Sequence, residues 1–471
     1  AAGSLPQALQ QLGIDGRIVI PYYRLVRQNG YKLPEGKRRI TVARGGLTGK
    51  AGLRQTTLGS VPVYMIDFPA AFDRPGLYAE NGRDYPDNDL RYGFFCRATL
   101  ELAKSIDFRP DIIHVHDWQT ALIPLLLTNE YATDPFFAMT ATHLTIHNLG
   151  YQGLFPADNF QRLQVPDELF RVEGIEYYGQ FSLLKGGIRF ADQLTTVSPA
   201  YAREILTPEF GHGFETILAK RRDDLHGILN GLDIGYWDPA QDVHLSHHFS
   251  PQNLRGKTHV KRRLQHELDL QVDPTVPLAV MVTRLDRQKG VDLVTTCWQE
   301  LLQRGLQLVI LGSGDPDVEL QLQQLCRETP NQTRFIDGFN EPLAHRIYGG
   351  GDLFLMPSRY EPCGLSQMIA LRYGTVPIAR RTGGLADTII DCDERVRGGN
   401  GWLFDAPCGA DLLETIDRAL KAFGQRRTWL GIMRRGMQND FSWNRSAQEY
   451  DALYQQIVEN GDGGNKTGSN G

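Results

Sequence analysis

The residues able to do chemistry in this chain sit where short apolar runs stop. DIIHVH (111–116) leads into Asp117 and Trp118, HLTI (143–146) into His147 and Asn148, and LTTV (194–197) into Ser198 and Pro199. Further along, VMVT (280–283) leads into Arg284 and Lys289, LVIL (308–311) into Gly312 and Asp315, and LFLM (353–356) into Glu361, Cys363 and Gly364. TVPIA (375–379) leads into the turn Thr382-Gly383-Gly384-Leu385. Arg284 offers a bidentate fork and Lys289 a point charge, a combination suited to a diphosphate. Two glycines at a strand-to-helix turn put backbone N–H groups at a positive helix end, which also suits phosphate. Glu361, in a Pro-containing loop, could accept sugar hydroxyls or take part in proton transfer. His114 and His116 alternate onto one strand face, and His-x-His opens the metal site of some barrel metallohydrolases. That reading needs further strand-end histidines, and beyond His143 and His147 the later strand series (278–379) supplies only His345, on a helical stretch. LGSGD (311–315) lacks the third glycine and the spaced acidic residue of a dinucleotide fingerprint, so it reads as a tight turn, and no P-loop pattern occurs.

The elements that must position these residues follow from periodicity. Continuous β-branched runs separated by helix-like stretches read as parallel strands buried on both faces. Ligands of such sheets bind beyond the carboxyl ends of the strands, where the polar residues above lie. One series spans 17–20, 63–66, 111–116, 143–147 and 193–197; a second spans 278–283, 306–311, 352–356 and 375–379. The fold class is therefore α/β, with two sheets. The Gly/Pro/Asp-rich stretch 230–242 and the His-rich residues to Phe249 read as an interdomain linker with hinge capacity. The expected domains are 1–237 and 238–442, then a helix over 443–460 returning to the first domain and a disordered tail over 461–471.

Composition bounds the partners. With 50 Lys+Arg against 55 Asp+Glu among 471 residues, the net charge of −5 argues against duplex nucleic acid as a ligand. The longest apolar stretch, near Ala121 to Leu127, falls far short of the roughly 18 residues of a membrane span. Six scattered cysteines without a CxxC pair suit a reducing compartment.

Eight stretches, in order, resemble the glycogen and starch synthases: FDRPGLYAENGRDYPDN (72–88), HVHDWQTAL (114–122), TIHNLGYQGLF (145–155), LLKGGIRFADQLTTVSPAYAREI (183–205), GILNGLD (227–233), TRLDRQKGVDL (283–293), PSRYEPCGL (357–365) and RRTGGLADT (380–388). The resemblance covers about 450 residues. It implies the GT-B fold, two facing Rossmann-like domains with an interdomain cleft, and transfer of glucose from ADP-glucose to the non-reducing end of an α-1,4-glucan. Configuration would be retained and no metal or other cofactor used. Carried over, Arg284 and Lys289 hold the donor diphosphate with the backbone of Thr382, Gly383, Gly384 and Leu385. Phe339 lies against adenine, with Tyr373 a second candidate. His147, Asn230, Glu361, Cys363 and Gly364 contact the transferred glucose, and Asp117 lies beside the anomeric centre. The main-chain carbonyl of His147 is the expected partner of the oxocarbenium-like centre, and the leaving phosphate takes the acceptor proton.

Ile369 stands where a related transferase family has a second glutamate, as in the synthases. The family also opens with a strand and a Lys-x-Gly-Gly-Leu loop, whereas AAGSLPQALQQLG (1–13) resembles the helix after that loop. ARGGLTGK (43–50) follows a strand in a basic hairpin-like segment and reads as a decoy. The alternatives are a catalytically impaired glucan- or nucleotide-binding relative and, more distantly, a metallohydrolase. The implied compartment is bacterial cytoplasm or plastid stroma.

Overall fold

The computed structural model describes residues 1–30, 33–80, 82–392 and 398–463. The chain forms two compact units. The first comprises 1–197, 202–228 and the chain from 443 onward; the second comprises 198–201 and 229–442.

In the first unit, β1 (Ile18–Pro21), β2 (Arg39–Val42), β3 (Gly49–Leu58) and β4 (Val61–Asp67) form a sheet of order β1-β4-β3-β2. Only β1 and β4 run parallel; β2–β3 and β3–β4 are antiparallel. The two runs read as parallel strands here, 17–20 and 63–66, do pair in parallel, and the basic hairpin-like segment between them adds the antiparallel β2 and β3, one residue in two facing outward along β2. A second sheet, β5 (Ile112–His116), β6 (Ala141–Ile146), β7 (Gln193–Thr196) and β8 (Leu225–Gly227), is parallel throughout, in the order β8-β7-β6-β5. The helix Trp443–Gly463 packs here through Ala447, Tyr450, Leu453 and Ile457, with Leu5, Ala8 and Leu9 of the helix Ser4–Gln11 and with Ile228. It runs three residues past the expected helix end, so 461–463 are helical, and 464–471 of the expected tail lie outside the described residues.

In the second unit, β9 (Leu278–Val282), β10 (Gln307–Gly312), β11 (Thr333–Asp337), β12 (Leu353–Met356), β13 (Val376–Arg380) and β14 (Trp402–Phe404) pair in parallel, in the order β11-β10-β9-β12-β13-β14. Counted from β9, that is the 3-2-1-4-5-6 order of a doubly wound nucleotide-binding sheet, whose ligand crevice opens where the order reverses, between the first and fourth strands. Here those strands are β9 and β12. β10 and β12 are buried along their whole length, as helices on both faces require.

The 230–249 stretch is not a loose linker. Leu232, Leu245 and Phe249 belong to the second unit's core, and Trp237 stacks on His345 with ring centroids 4.0 Å apart. Asp242 accepts hydrogen bonds from His345 Nδ1 at 2.7 Å and from the Tyr373 hydroxyl at 2.5 Å. The break between units accordingly falls after Ile228, ahead of the expected 237/238 boundary.

Candidate active site

In the second unit, the residues following β9 and β12 meet at the reversal of strand order. Asp286 accepts the Lys289 N–H at 3.0 Å and turns the loop so that Lys289 points along it. The two loops are laced together: Arg359 N–H donates to Gln288 O at 2.8 Å, and the Arg359 guanidinium pairs with Asp292 at 2.7 and 2.6 Å. Gly290 has φ +67°, and a Cβ there would overlap the Pro357 carbonyl, so glycine permits this close approach.

At the centre, Lys289 Nζ donates to both Glu361 oxygens, at 2.9 and 2.7 Å, and Ser358 Oγ donates to Oε2 at 3.0 Å. Glu361 is only 5% exposed. A carboxylate so buried needs partners, and here a cation and a hydroxyl both satisfy it. Cys363, two residues on, is buried; burial pushes its thiol up to about 12, against the opposing pull of the Asn230 backbone N–H. The Asn230 side-chain Oδ1 is buried with no partner among the described residues. Buried polar atoms in native proteins are nearly always paired, so such an acceptor fits a ligand that donates to it.

Arg284 is 59% exposed at its side chain and lies 3.3 Å from Asp286. Phe339 is 86% exposed, just before Asn340 caps the helix Glu341–Gly350 by accepting the Leu343 N–H. The turn 382–385 plays a packing role beside any phosphate role. Gly384 N–H donates to Glu361 O at 3.0 Å and Leu385 N–H to Thr382 O at 3.1 Å, so both amides are engaged within the protein. A Cβ on Gly384 would overlap the Cys363 carbonyl. The glycines let the turn press against the Glu361 loop, whose Cys363 and Gly364 carbonyls accept from Gln367 at 2.9 and 2.8 Å. Tyr373 requires a larger correction. It is fully buried with its hydroxyl on Asp242, and so cannot reach a base.

In the first unit, Asp117 follows β5 with φ +52°, a left-handed conformation that a non-glycine residue adopts at a cost. Its carboxylate accepts the His147 N–H at 2.7 Å and the Asn148 N–H. Burial pushes the carboxyl up to about 6, and these two amides pull the other way. The strain therefore places a carboxylate behind the peptide of His147 and fixes the direction of its carbonyl. Burial pushes the His147 imidazole down to about 4. Around it lie three more imidazoles, His143 buried and His114 and His116 half-buried. His116 Nδ1 is 3.1 Å from His147 Nε2, and His114 bonds Tyr454 at 2.7 Å and Thr145 at 2.6 Å. His143 Nε2 bonds Thr195 at 2.9 Å. His114 and His116 thus spend ring nitrogens on neighbouring side chains, and the face that suggested a metal is a packed hydrogen-bonded stack.

Sequence reasoning missed Ser358, the partner of Glu361, for which the sequence offers no signal. It missed the ring contact of His116 too, although the spacing HVHD placed that residue beside Asp117.

Residues 1–220 match the family model described as the starch synthase catalytic domain, and 265–429 the one described as glycosyl transferases group 1. The chain is 50% identical over 458 residues to the glycogen synthase of Syntrophotalea carbinolica, covering 97% of this chain and 95% of that protein. It is 48% identical over 456 residues to glycogen synthase 2 of Geobacter sulfurreducens, covering 97% and 94%. Among solved structures, the catalytic domain of starch synthase IV from Arabidopsis thaliana, bound to ADP and acarbose, superposes with a TM-score of 0.89 at 33% identity, covering 97% of this chain and 95% of that one.

Proposed function

Since the chain belongs to the glycogen and starch synthase family of GT-B glycosyltransferases, we propose that it moves glucose from ADP-glucose to the non-reducing end of an α-1,4-glucan, with retention. The observation that carries this reading is the Lys289–Glu361 pair at the β9/β12 reversal, with the unpartnered Asn230 acceptor packed against Cys363. A cation there can meet a diphosphate, while a carboxylate and a bare amide oxygen can meet sugar hydroxyls.

Lys289 pairs with Glu361. On donor binding Lys289 turns to the diphosphate with Arg284, and Glu361 is released to accept glucose hydroxyls. The exposed ring of Phe339 stacks on adenine. As the bond from C1 to the diphosphate oxygen breaks, its electron pair leaves with ADP, where both cations stabilise the growing charge. The His147 carbonyl, held in direction by Asp117, stabilises the electron-poor C1. The acceptor hydroxyl oxygen bonds C1 on the same face, and its proton passes to the departing phosphate oxygen. Two side-chain cations supply the charge that a divalent ion supplies elsewhere, so the reaction proceeds without a metal.

The test is incubation with ADP-, UDP- and GDP-glucose plus a malto-oligosaccharide, following nucleotide release and chain growth. Growth with ADP-glucose above the others supports the reading. Hydrolysis without chain growth, or no turnover of any donor, refutes it.

A further inference from the structure

The first unit holds a feature that this function leaves unused: the edge-to-edge meeting of His116 and His147. Nδ1 of His116 lies 3.1 Å from Nε2 of His147, with ring centroids 5.2 Å apart. Burial holds both rings below the range where imidazole takes a second proton, His147 at about 4. Two neutral rings therefore share a single proton across this contact, and only two arrangements exist. In one, His147 Nε2–H donates to His116 Nδ1, and both rings carry their proton on Nε2. In the other, His116 Nδ1–H donates to His147 Nε2, and both carry it on Nδ1. The Nε2–H form is intrinsically the more stable neutral imidazole, so the first arrangement wins at both rings together.

The surroundings hold the two rings in place. The His116 N–H donates to Thr120 Oγ1 at 2.6 Å, and its carbonyl accepts the Thr120 hydroxyl at 2.8 Å. Its ring packs 4.3 Å from that of His114, itself bonded to Tyr454 and Thr145. The backbone of His147 is held by Asp117. We propose that His116 is a positioning residue that fixes His147 in its Nε2–H tautomer, leaving Nδ1 of His147 as a bare acceptor for one hydroxyl of the transferred sugar. The inference rests on the proposed contact between His147 and the glucosyl group. Its chemical content is polarity: the site reads a hydroxyl that donates, and the second ring nitrogen is set by the hydrogen bond of the first.

Two measurements test it. Histidine-labelled 15N–1H correlation spectra, assigned with His147→Gln, report which nitrogen of His147 is protonated. An unprotonated Nδ1 is expected in the wild type and in His116→Asn, whose amide oxygen falls near the position of Nδ1. Kinetics with ADP-glucose analogues, each sugar hydroxyl replaced in turn by hydrogen or fluorine, report the polarity. At the hydroxyl read by Nδ1, both replacements should lower kcat/KM about tenfold, because fluorine has no proton to give. His116→Phe should lower kcat/KM for ADP-glucose about tenfold and lose discrimination against the fluoro donor, and His116→Asn should recover most of both. A protonated Nδ1 in the wild type, or a folded His116→Phe with unchanged kcat/KM and unchanged discrimination, overturns the proposal. A wild type inert toward every donor instead removes the proposed function, and the spectra still decide the tautomer.

Discussion

Lowering the pH from 7.5 to 5 should unfold the first unit while the second stays folded. His143 and His147 are pushed by burial down to about 3 and about 4, and His114 and His116 are likewise held well below the usual imidazole range. In the unfolded chain each titrates near 6.5, so below that pH the unfolded state binds protons that the folded state refuses, and stability falls with pH. Asp117 works in the opposite sense. Its folded carboxyl, raised to about 6, takes a proton before the unfolded one does, which returns part of the loss. Four histidines against one aspartate leave about three extra protons on the unfolded state between pH 6 and 5, or roughly 4 kcal/mol per pH unit. Summed from pH 7.5 to 5, the loss is about 7 kcal/mol, comparable to the whole stability of a typical domain. The second unit provides the reference. Its Lys257, pushed by burial down to about 7, takes most of its proton between pH 7.5 and 6, which costs that unit only about 1 kcal/mol. Asp242, which burial alone would raise but which His345 and Tyr373 hold below the usual carboxylate range, titrates beneath it. Hydrogen exchange should show protection collapsing in 112–116, 141–147 and 193–196 while 278–282 and 307–312 remain protected. Equal protection of both sets at pH 5 and 7.5 would refute the neutral-stack argument.

Lys289→Met should lower turnover at least about a hundredfold and stability by about 3 kcal/mol, since Glu361 then lies buried with only Ser358 to satisfy it. Adding Glu361→Gln should restore the melting temperature but not the rate, and a restored rate would make the pair purely structural. Asn230→Ala should reduce kcat/KM about tenfold with stability unchanged, because Oδ1 has no partner among the described residues; a calorimetric loss above about 2 kcal/mol with normal kinetics would contradict this. Tyr373→Phe should leave ADP affinity by titration calorimetry unchanged and cost the second unit about 1–3 kcal/mol by removing one of the two hydrogen bonds to the Asp242 Oδ2 carboxylate oxygen; a tenfold weaker ADP affinity would return the tyrosine to the donor site.

What the sequence discloses follows from how local each signal is. Parallel strands buried on both faces are written as unbroken apolar runs, so β6, β7, β9, β10, β12 and β13 are legible to within about two residues. β11 and β14 close the two edges of their sheet and are harder to see: one is TRFID, half polar, and the other is three residues long. The strand ends carry the cations and carboxylates of the site, so Lys289, Glu361 and Asp117 are legible by type and place. Their environments are not, because each depends on a partner far along the chain. Asp117 meets an amide 30 residues away, and Tyr373 meets Asp242 across 131. Lengths of 230–249 rich in Gly, Pro and His imitate a linker for the same reason: the partners that pin Trp237 and Asp242 lie more than a hundred residues on.

The return of the helix Trp443–Gly463 to the first unit makes that unit discontinuous along the chain, and this has a consequence for synthesis. On a ribosome, the residues up to 228 emerge with Leu5, Leu9 and Ile228 still lacking the apolar face that covers them. More than two hundred residues of the second unit must be made before that face exists. At 5–20 residues per second the wait lasts roughly 10–40 s, longer than most domains need to collapse. The second unit, continuous from 229 to 442 apart from four residues made earlier, can fold inside that interval. The order of completion is thus the reverse of the order of synthesis, and the nascent first unit is the species for which a chaperone would compete.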